Sequence, residues 1–263
     1  MEINQAKPGN FCWFELATSD QTAAKNFYGE LFGWTATDAP MGPGRFYTTF
    51  HLRGRKVGAT YALMPDQVQQ GLPPHWGAYV AVANVDESVA RAKTLGANVL
   101  AGAMDVAEHG RMAVLRDPTG AVISLWQPKQ HQGVGLWGEV GSFCWSELMT
   151  RDTTAATEFY TAQFNWKTKV SDAAGFAYTH WQNDGADIGG MMAILEEFGP
   201  MPPNWGNYVQ VDNCDDTVAK ATSLGAEVCM PPTDIPNTGR FATLQDPQGA
   251  MFSVIALMPM SKG

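Results

Sequence analysis

Apolar positions in this chain change period several times, and the same changes occur twice in the same order. Residues 11–18, FCWFELAT, form a strand-like apolar run. Asp20 then stands at an N-cap position, and Ala24, Phe27, Tyr28 and Leu31 recur at helical spacing. Strand-like stretches follow in GRFYTTFHL, VGATYALMP and PPHWGAYVAV. The helical pattern VDESVARAKTLGA stops at Gly96, and GRMAVLRDPTGAVISLWQP reads as two strands joined at an Asp-Pro-x-Gly turn. Beginning at FCWSELMTRD, the chain repeats this series: Asp152 at an N-cap, then Ala156, Phe159 and Tyr160 at helical spacing. GFAYTHWQN, IGGMMAILE, PPNWGNYVQV, CDDTVAKATSLGA and GRFATLQDPQGAMFSVIAL complete it.

Each half therefore reads as strand, helix and three strands, performed twice. The offset between halves drifts from 132 (Phe11 to Phe143) to 129 (Ser124 to Ser253), so a few loop residues differ. The expected division is residues 1–128, a Gly- and Gln-rich linker at 129–141, and residues 142–263.

At 263 residues with 45% hydrophobic content, the chain can bury two cores. Its 17 basic and 26 acidic residues give a net charge of -9, which argues against nucleic acid and anionic membranes as partners. No apolar run approaches the roughly 20 residues of a membrane helix. The N-terminus MEINQAKPGN lacks the pattern of an export signal, so a cytoplasmic protein, monomer or homodimer, is expected. Cys12, Cys144, Cys214 and Cys229 form no C-x-x-C pair and read as small buried residues rather than catalytic thiols.

Four tandem βαβββ modules, with Asp at the first helix start, Phe-Tyr within that helix and a closing D-P-x-G hairpin, resemble the vicinal oxygen chelate superfamily. That group includes glyoxalase I, extradiol dioxygenases and bleomycin resistance proteins, and the resemblance spans roughly residues 11–257. It implies an α+β fold of paired modules whose mixed sheets curl into two cup-shaped, similar domains. A tandem glyoxalase-like or hydroxylase-like type is the nearer likeness.

The resemblance also implies where a divalent metal would be held. The first-strand ligand position holds Trp13 and Trp145, its counterpart in the next module Gly77 and Gly206, and the last-strand position Ser124 and Ser253. The fourth ligand belongs to residues 57–64 or 188–195, which contain no His, Asp, Glu or Cys. Trp and Gly offer no lone pair to a cation, and a neutral Ser is a poor sole ligand. No metal and no cofactor are expected, and a divalent metal on other ligands is the alternative. His75 and His109 lie near these strands, but Asn204 and Thr238 replace them in the second half.

Strand alternation places Phe11 and Glu15 with Trp13 on the cup face, and Phe143 and Glu147 with Trp145. Tyr79, Ser124 and Trp126 join the first cup; Tyr208 and Ser253 join the second. Such aromatic walls with few polar groups suit a small partly aromatic or oxygenated ligand. A buried carboxylate needs a partner, and the repeated cations Arg111 and Arg240 are the expected ones. Glu15 and Glu147 are then either structural pins or ligand-binding or acid–base groups. Two functions follow: a metal-free small-molecule-binding protein, or a lyase, isomerase or hydroxylase-like enzyme of the same superfamily.

Overall fold

The computed structural model describes residues 1–172 and 177–258. The first half runs β1 (Phe11–Thr18), α1 (Gln21–Phe32), β2 (Thr35–Pro40), β3 (Phe46–Leu52), β4 (Arg55–Ala62), α2 (Pro65–Gln69), β5 (His75–Ala81), α3 (Val85–Thr94), β6 (Asn98–Val106), β7 (Gly110–Arg116) and β8 (Val122–Pro128). The second half runs β9 (Phe143–Thr150), α4 (Thr153–Phe164), β10 (Lys167–Ser171), β11 (Tyr178–Asn183), β12 (Ala186–Ala193), a 3₁₀ turn (Glu196–Phe198), β13 (Asn204–Gln210), α5 (Cys214–Ser223), β14 (Glu227–Ile235), β15 (Gly239–Gln245) and β16 (Met251–Leu257). The short helix α2 has no counterpart in the expected pattern. The strand expected over residues 175–183 begins at Tyr178, and its first two residues lie outside the described ones.

The expected caps form. Asp20 accepts from the Ala23 amide and Asp152 from the Ala155 amide, satisfying first-turn donors that have no partner inside the helix. α1 ends on Gly33 with φ 72°, a left-handed position that favours glycine.

Each half folds into one eight-stranded mixed sheet. The strand orders are β2-β3-β4-β1-β5-β8-β7-β6 and β10-β11-β12-β9-β13-β16-β15-β14. The first strands of the paired modules meet antiparallel at the centre, with Glu15 opposite Gly77 and Glu147 opposite Gly206. The fold is thus α+β, two similar domains of two modules each. No helix among the described residues is long and apolar enough to cross a membrane.

The two halves share their aromatic cores. A bulge between Phe11 and Trp13 turns Phe11 away from the cup, and the matching irregularity at Phe143 does the same. Phe11 packs on Trp166 and Trp205 of the other half, at 5.7 and 5.2 Å between centroids. Phe143 stacks on Phe14 at 4.1 Å and meets Trp76 at 5.3 Å. The expectation that Phe11 and Phe143 face the cups is therefore corrected: simple alternation fails at the inserted residue. The segment 129–141 is packed as well, with Val134 and Leu136 buried and the Gly135 amide bonded to the Lys56 carbonyl.

Candidate functional site

From Trp13 and Trp145 onward the strand alternation holds, and the register shows which residues share the cup faces. Glu15 lies level with Ala59 and Gly77, Trp13 with Tyr79, Tyr79 with Ser124, and Ala81 with Trp126. In the second half Glu147 lies level with Gly190 and Gly206, Trp145 with Tyr208, and Tyr208 with Ser253. The sheets thus bring together Trp13, Glu15, Tyr79, Ser124 and Trp126 on one face, and Trp145, Glu147, Tyr208 and Ser253 on the other.

Arg111 and Arg240 stand apart from these groups. Arg111 precedes Met112, which pairs with Trp126 on the cup face, so the arginine projects to the helix side. There its guanidinium binds Asp86 of α3 with two bonds of 2.9 Å and Asp105 at 3.3 Å. Arg240 likewise grips Asp215 at 2.7 and 3.0 Å and Asp234 at 3.0 Å. The expected Glu–Arg pairs do not form, because one strand position separates the arginines from the cup face.

Tyrosines take the arginines' place. Tyr47 on β3 donates to Glu15 Oε1 at 2.6 Å, and Tyr79 donates to Oε2 at 2.6 Å. Trp13 Nε1 donates in turn to the Tyr47 hydroxyl at 2.8 Å. The second cup repeats the chain: Trp145 Nε1 to Tyr178 at 2.8 Å, Tyr178 to Glu147 Oε2 at 2.7 Å, and Tyr208 to Oε1 at 3.0 Å. Ser253 lies 2.9 Å from the Thr243 hydroxyl beside it.

An indole N–H can only donate. The Tyr47 and Tyr178 oxygens therefore accept from tryptophan, and their protons go to the glutamates. Burial raises both glutamates above the ordinary carboxylate range, and the two tyrosine hydroxyls on each partly offset it. Burial and the adjacent carboxylate hold all four tyrosines far above their ordinary value, so they act as donors.

Tyr47, Tyr178 and two histidines escaped the sequence reading. The tyrosines occupy the same position in GRFYTTFHL and GFAYTHWQN, and that agreement was the available signal. His131, from the segment after β8, sets its ring edge-on to Trp13 at 4.3 Å, and its carbonyl accepts from Trp126 Nε1 at 2.9 Å. Burial beside Lys56 pushes the His131 imidazole down to about 3, so it is neutral near pH 7. In the second cup His180 lies 5.1 Å from Tyr178 and 6.1 Å from Trp145. Cys12 and Cys214 are buried as expected, whereas Cys144 is half-buried and Cys229 is exposed, a correction to the reading of all four as buried; burial raises the Cys12 thiol strongly and Cys144 to about 12.

The positions from which the resemblance implies metal ligands are Trp13, Gly77 and Ser124, and Trp145, Gly206 and Ser253. Both indole nitrogens are engaged as donors and both glycines lack a side chain, so these sets do not fit a divalent ion. Among the described residues no three His, Cys, Asp or Glu side chains converge elsewhere.

Comparisons with known proteins place this geometry. The family model described as "Glyoxalase/Bleomycin resistance protein/Dioxygenase superfamily" matches residues 10–125 and again 142–254. "Putative glyoxylase CFP32" of Mycobacterium tuberculosis is 41% identical over 263 residues, covering 98% of this chain and 97% of that protein. "Anthracycline biosynthesis protein DauV" of Streptomyces sp. is 35% identical over 260 residues, covering 95% and 94%. The Mn(II)-bound glyoxalase from Novosphingobium aromaticivorans superposes with a TM-score of 0.64 at 13% identity, covering 95% of this chain and 83% of that one. The 2,3-dioxygenase LapB from Pseudomonas sp. KL28 gives 0.64 at 12% identity, covering 99% and 96%. With both halves matched by one model and the fold shared, this chain belongs to the glyoxalase/bleomycin resistance protein/dioxygenase superfamily.

Proposed function

We propose that this protein binds a small, partly aromatic or oxygenated metabolite in its cups without the metal that some of its structural neighbours carry. The supporting observation is the repeated Trp–Tyr–Glu–Tyr chain. Its tryptophan occupies a position from which the resemblance implies a metal ligand, and the chain presents a carboxylate, two hydroxyls and aromatic walls to each cup. Trp13, Tyr79, Ser124 and Trp126, and Trp145, Tyr208 and Ser253, are the ligand walls on this reading. Arg111 and Arg240 brace α3 and α5 instead.

A second reading, an acid–base lyase or isomerase, draws on the raised Glu15 and Glu147 carboxyls. Burial makes each a stronger base than an exposed carboxylate. The relative named for anthracycline biosynthesis is consistent with chemistry on an oxygenated aromatic molecule.

The test is a panel of aromatic and oxygenated metabolites titrated into EDTA-treated and manganese-supplemented protein, followed by tryptophan fluorescence and product analysis. Binding that is indifferent to metal and leaves the ligand intact supports the first reading. Metal-independent turnover abolished by Glu15→Gln or Glu147→Gln supports the second. Binding only with manganese overturns both.

A further inference from the structure

The two cups share the glutamate and its tyrosine donors but differ in the basic side chains around them. Glu147 is buried, 8% exposed, and each carboxylate oxygen receives one tyrosine hydroxyl. Trp145 donates to Tyr178, whose proton goes to Oε2, and Tyr208 donates to Oε1, so the ionised carboxylate accepts both bonds. A carboxylate has about four acceptor sites, so about two remain open. Among the described residues no basic side chain pairs with it. The row across the sheet reads Lys169, His180, Gly190, Glu147, Gly206. Lys169 is exposed on the edge strand, three strands away, about 14 Å at ordinary strand spacing. His180 turns its nitrogens elsewhere, with Nε2 3.0 Å from Ser171 Oγ and Nδ1 3.3 Å from the Asp187 carboxylate.

Beside this carboxylate the cup has room. A Cβ placed on Gly206 would meet only the Glu147 carbonyl oxygen, at 3.9 Å. On the other flank Gly190 lets the Tyr178 hydroxyl close over the strand, since a Cβ there would collide with it. The slot over Gly206 is therefore bounded by a desolvated carboxylate and by Trp145, Tyr178 and Tyr208. Aromatic faces attract cations, and an uncompensated buried carboxylate is costly until one arrives. The open acceptor sites call for N–H donors, which a quaternary ammonium lacks.

Resting on the reading of the cups as small-molecule sites, we propose that the second cup receives a primary ammonium group on a flat apolar body, seated over Gly206 against Glu147. The first cup has basic groups of its own. His75 stands on β5 two residues before Gly77, where the second half has Asn204, and Lys56 Nζ lies 3.5 Å from His131 at the Trp13 wall. Its preference for a cation is correspondingly weaker.

The test uses 2-phenylethylammonium, 2-phenylethanol and phenylacetate, near-equal in shape and different in charge, titrated calorimetrically into the full chain at low ionic strength. The ammonium is expected to bind at least tenfold tighter than the alcohol, and phenylacetate weakest. Glu147→Gln should erase the preference, bringing the ammonium's affinity down to that of phenylethanol for the same variant. Gly206→Leu should fill the slot and block both. Gly206 has no left-handed backbone and a Cβ there has space, so the substitution adds no backbone strain, and a circular-dichroism melt of both variants checks that each is folded. Equal binding of ammonium and alcohol overturns the inference but leaves the cups as small-molecule sites. Selectivity lost with Glu15→Gln but kept with Glu147→Gln overturns the choice of cup. Absence of binding by all three compounds at millimolar concentration also overturns the inference, and the metabolite panel then decides the broader reading separately.

Discussion

The Tyr28 hydroxyl, on the first helix of one half, donates to Asp246 Oδ2 in the closing turn of the other half at 2.8 Å. Tyr160 makes the mirror bond to Asp117 at 2.8 Å. Trp76 and Trp205 donate to these same hydroxyls, each at 2.8 Å. The relay tryptophan, tyrosine, carboxylate thus occurs four times, twice between the halves and twice in the cups. Between the halves the carboxylate has further work. Asp246 Oδ1 accepts the Gln248 and Ala250 amides, so one side chain closes its turn and docks the opposite helix.

Removing that hydroxyl should weaken the fold directly. Tyr28→Phe leaves the Trp76 indole and a buried Asp246 oxygen without their partner, which costs about 1–3 kcal/mol. Urea unfolding followed by tryptophan fluorescence measures it. A change within about 0.5 kcal/mol, the usual size for an uninvolved surface position, would show the bond to be dispensable.

The same exchange predicts that neither half is self-sufficient. A chain ending at residue 137 lacks Phe143, which covers Phe14 and Trp76, and lacks the acceptor for Tyr28. It should show no cooperative thermal transition alone, and should regain one when mixed with residues 138–263. A sharp transition in the isolated piece would mean that the shared aromatic core is not needed for folding.

Much of the architecture was legible because period and punctuation agree in both copies. Asp20 and Asp152 cap, Gly96 and Gly225 stop, and the Asp-Pro-x-Gly turns close the hairpins. The cup face was legible from Trp13 and Trp145 onward by alternation. What alternation cannot carry is a one-residue bulge, and it misplaced Phe11 and Phe143. Pairing Glu15 with Arg111 failed for a related reason. Chemical complementarity in sequence says nothing about which sheet face an arginine takes, and Asp86 was nearer on the helix side. Tyr47 and Tyr178 lie two strands away from their glutamates, on β3 and β11, so alternation along one strand does not pair them. Asp117 and Asp246 were read only as turn residues, since a contact from the other half leaves no local pattern.

Gly190 gives a steric prediction within the second cup. A Cβ there would collide with the Tyr178 hydroxyl, so Gly190→Ala should push that ring off Glu147 and break the relay from Trp145. The expected result is a lower melting temperature and a change in tryptophan emission that disappears in a Trp145→Phe background, which identifies it as that of Trp145 among the nine tryptophans. The first half carries Ala59 at the matching position, so Ala59→Gly should change the first cup far less. Equal effects of the two substitutions would contradict the geometry.

The buried glutamates set a pH dependence with a definite sign. Burial raises Glu15 and Glu147 above the ordinary value of 4.5, so the folded state holds their protons more tightly than the unfolded chain does. Their contribution to stability is fully present below that ordinary value and is lost as pH rises through the folded-state value. Other carboxylates, such as Asp38 beside Thr48 and Lys25, are lowered and act in the opposite sense, so total stability alone cannot isolate the glutamates. The comparison with Glu15→Gln/Glu147→Gln does isolate them. The double variant loses an acceptor for one tyrosine proton in each cup, a cost that does not vary with pH between about 4 and 8, because tyrosine ionises near 10. Wild-type stability relative to the variant should therefore be greatest at pH 4, decline as pH rises above the ordinary carboxylate value and level off above the folded-state value, as read from urea midpoints at constant ionic strength. A primary ammonium ligand at saturating concentration should flatten the part of this decline that belongs to Glu147, since it stabilises the ionised carboxylate. A wild-type advantage that grows with pH would mean that the tyrosine hydroxyls outweigh burial and hold the carboxyls below their ordinary value.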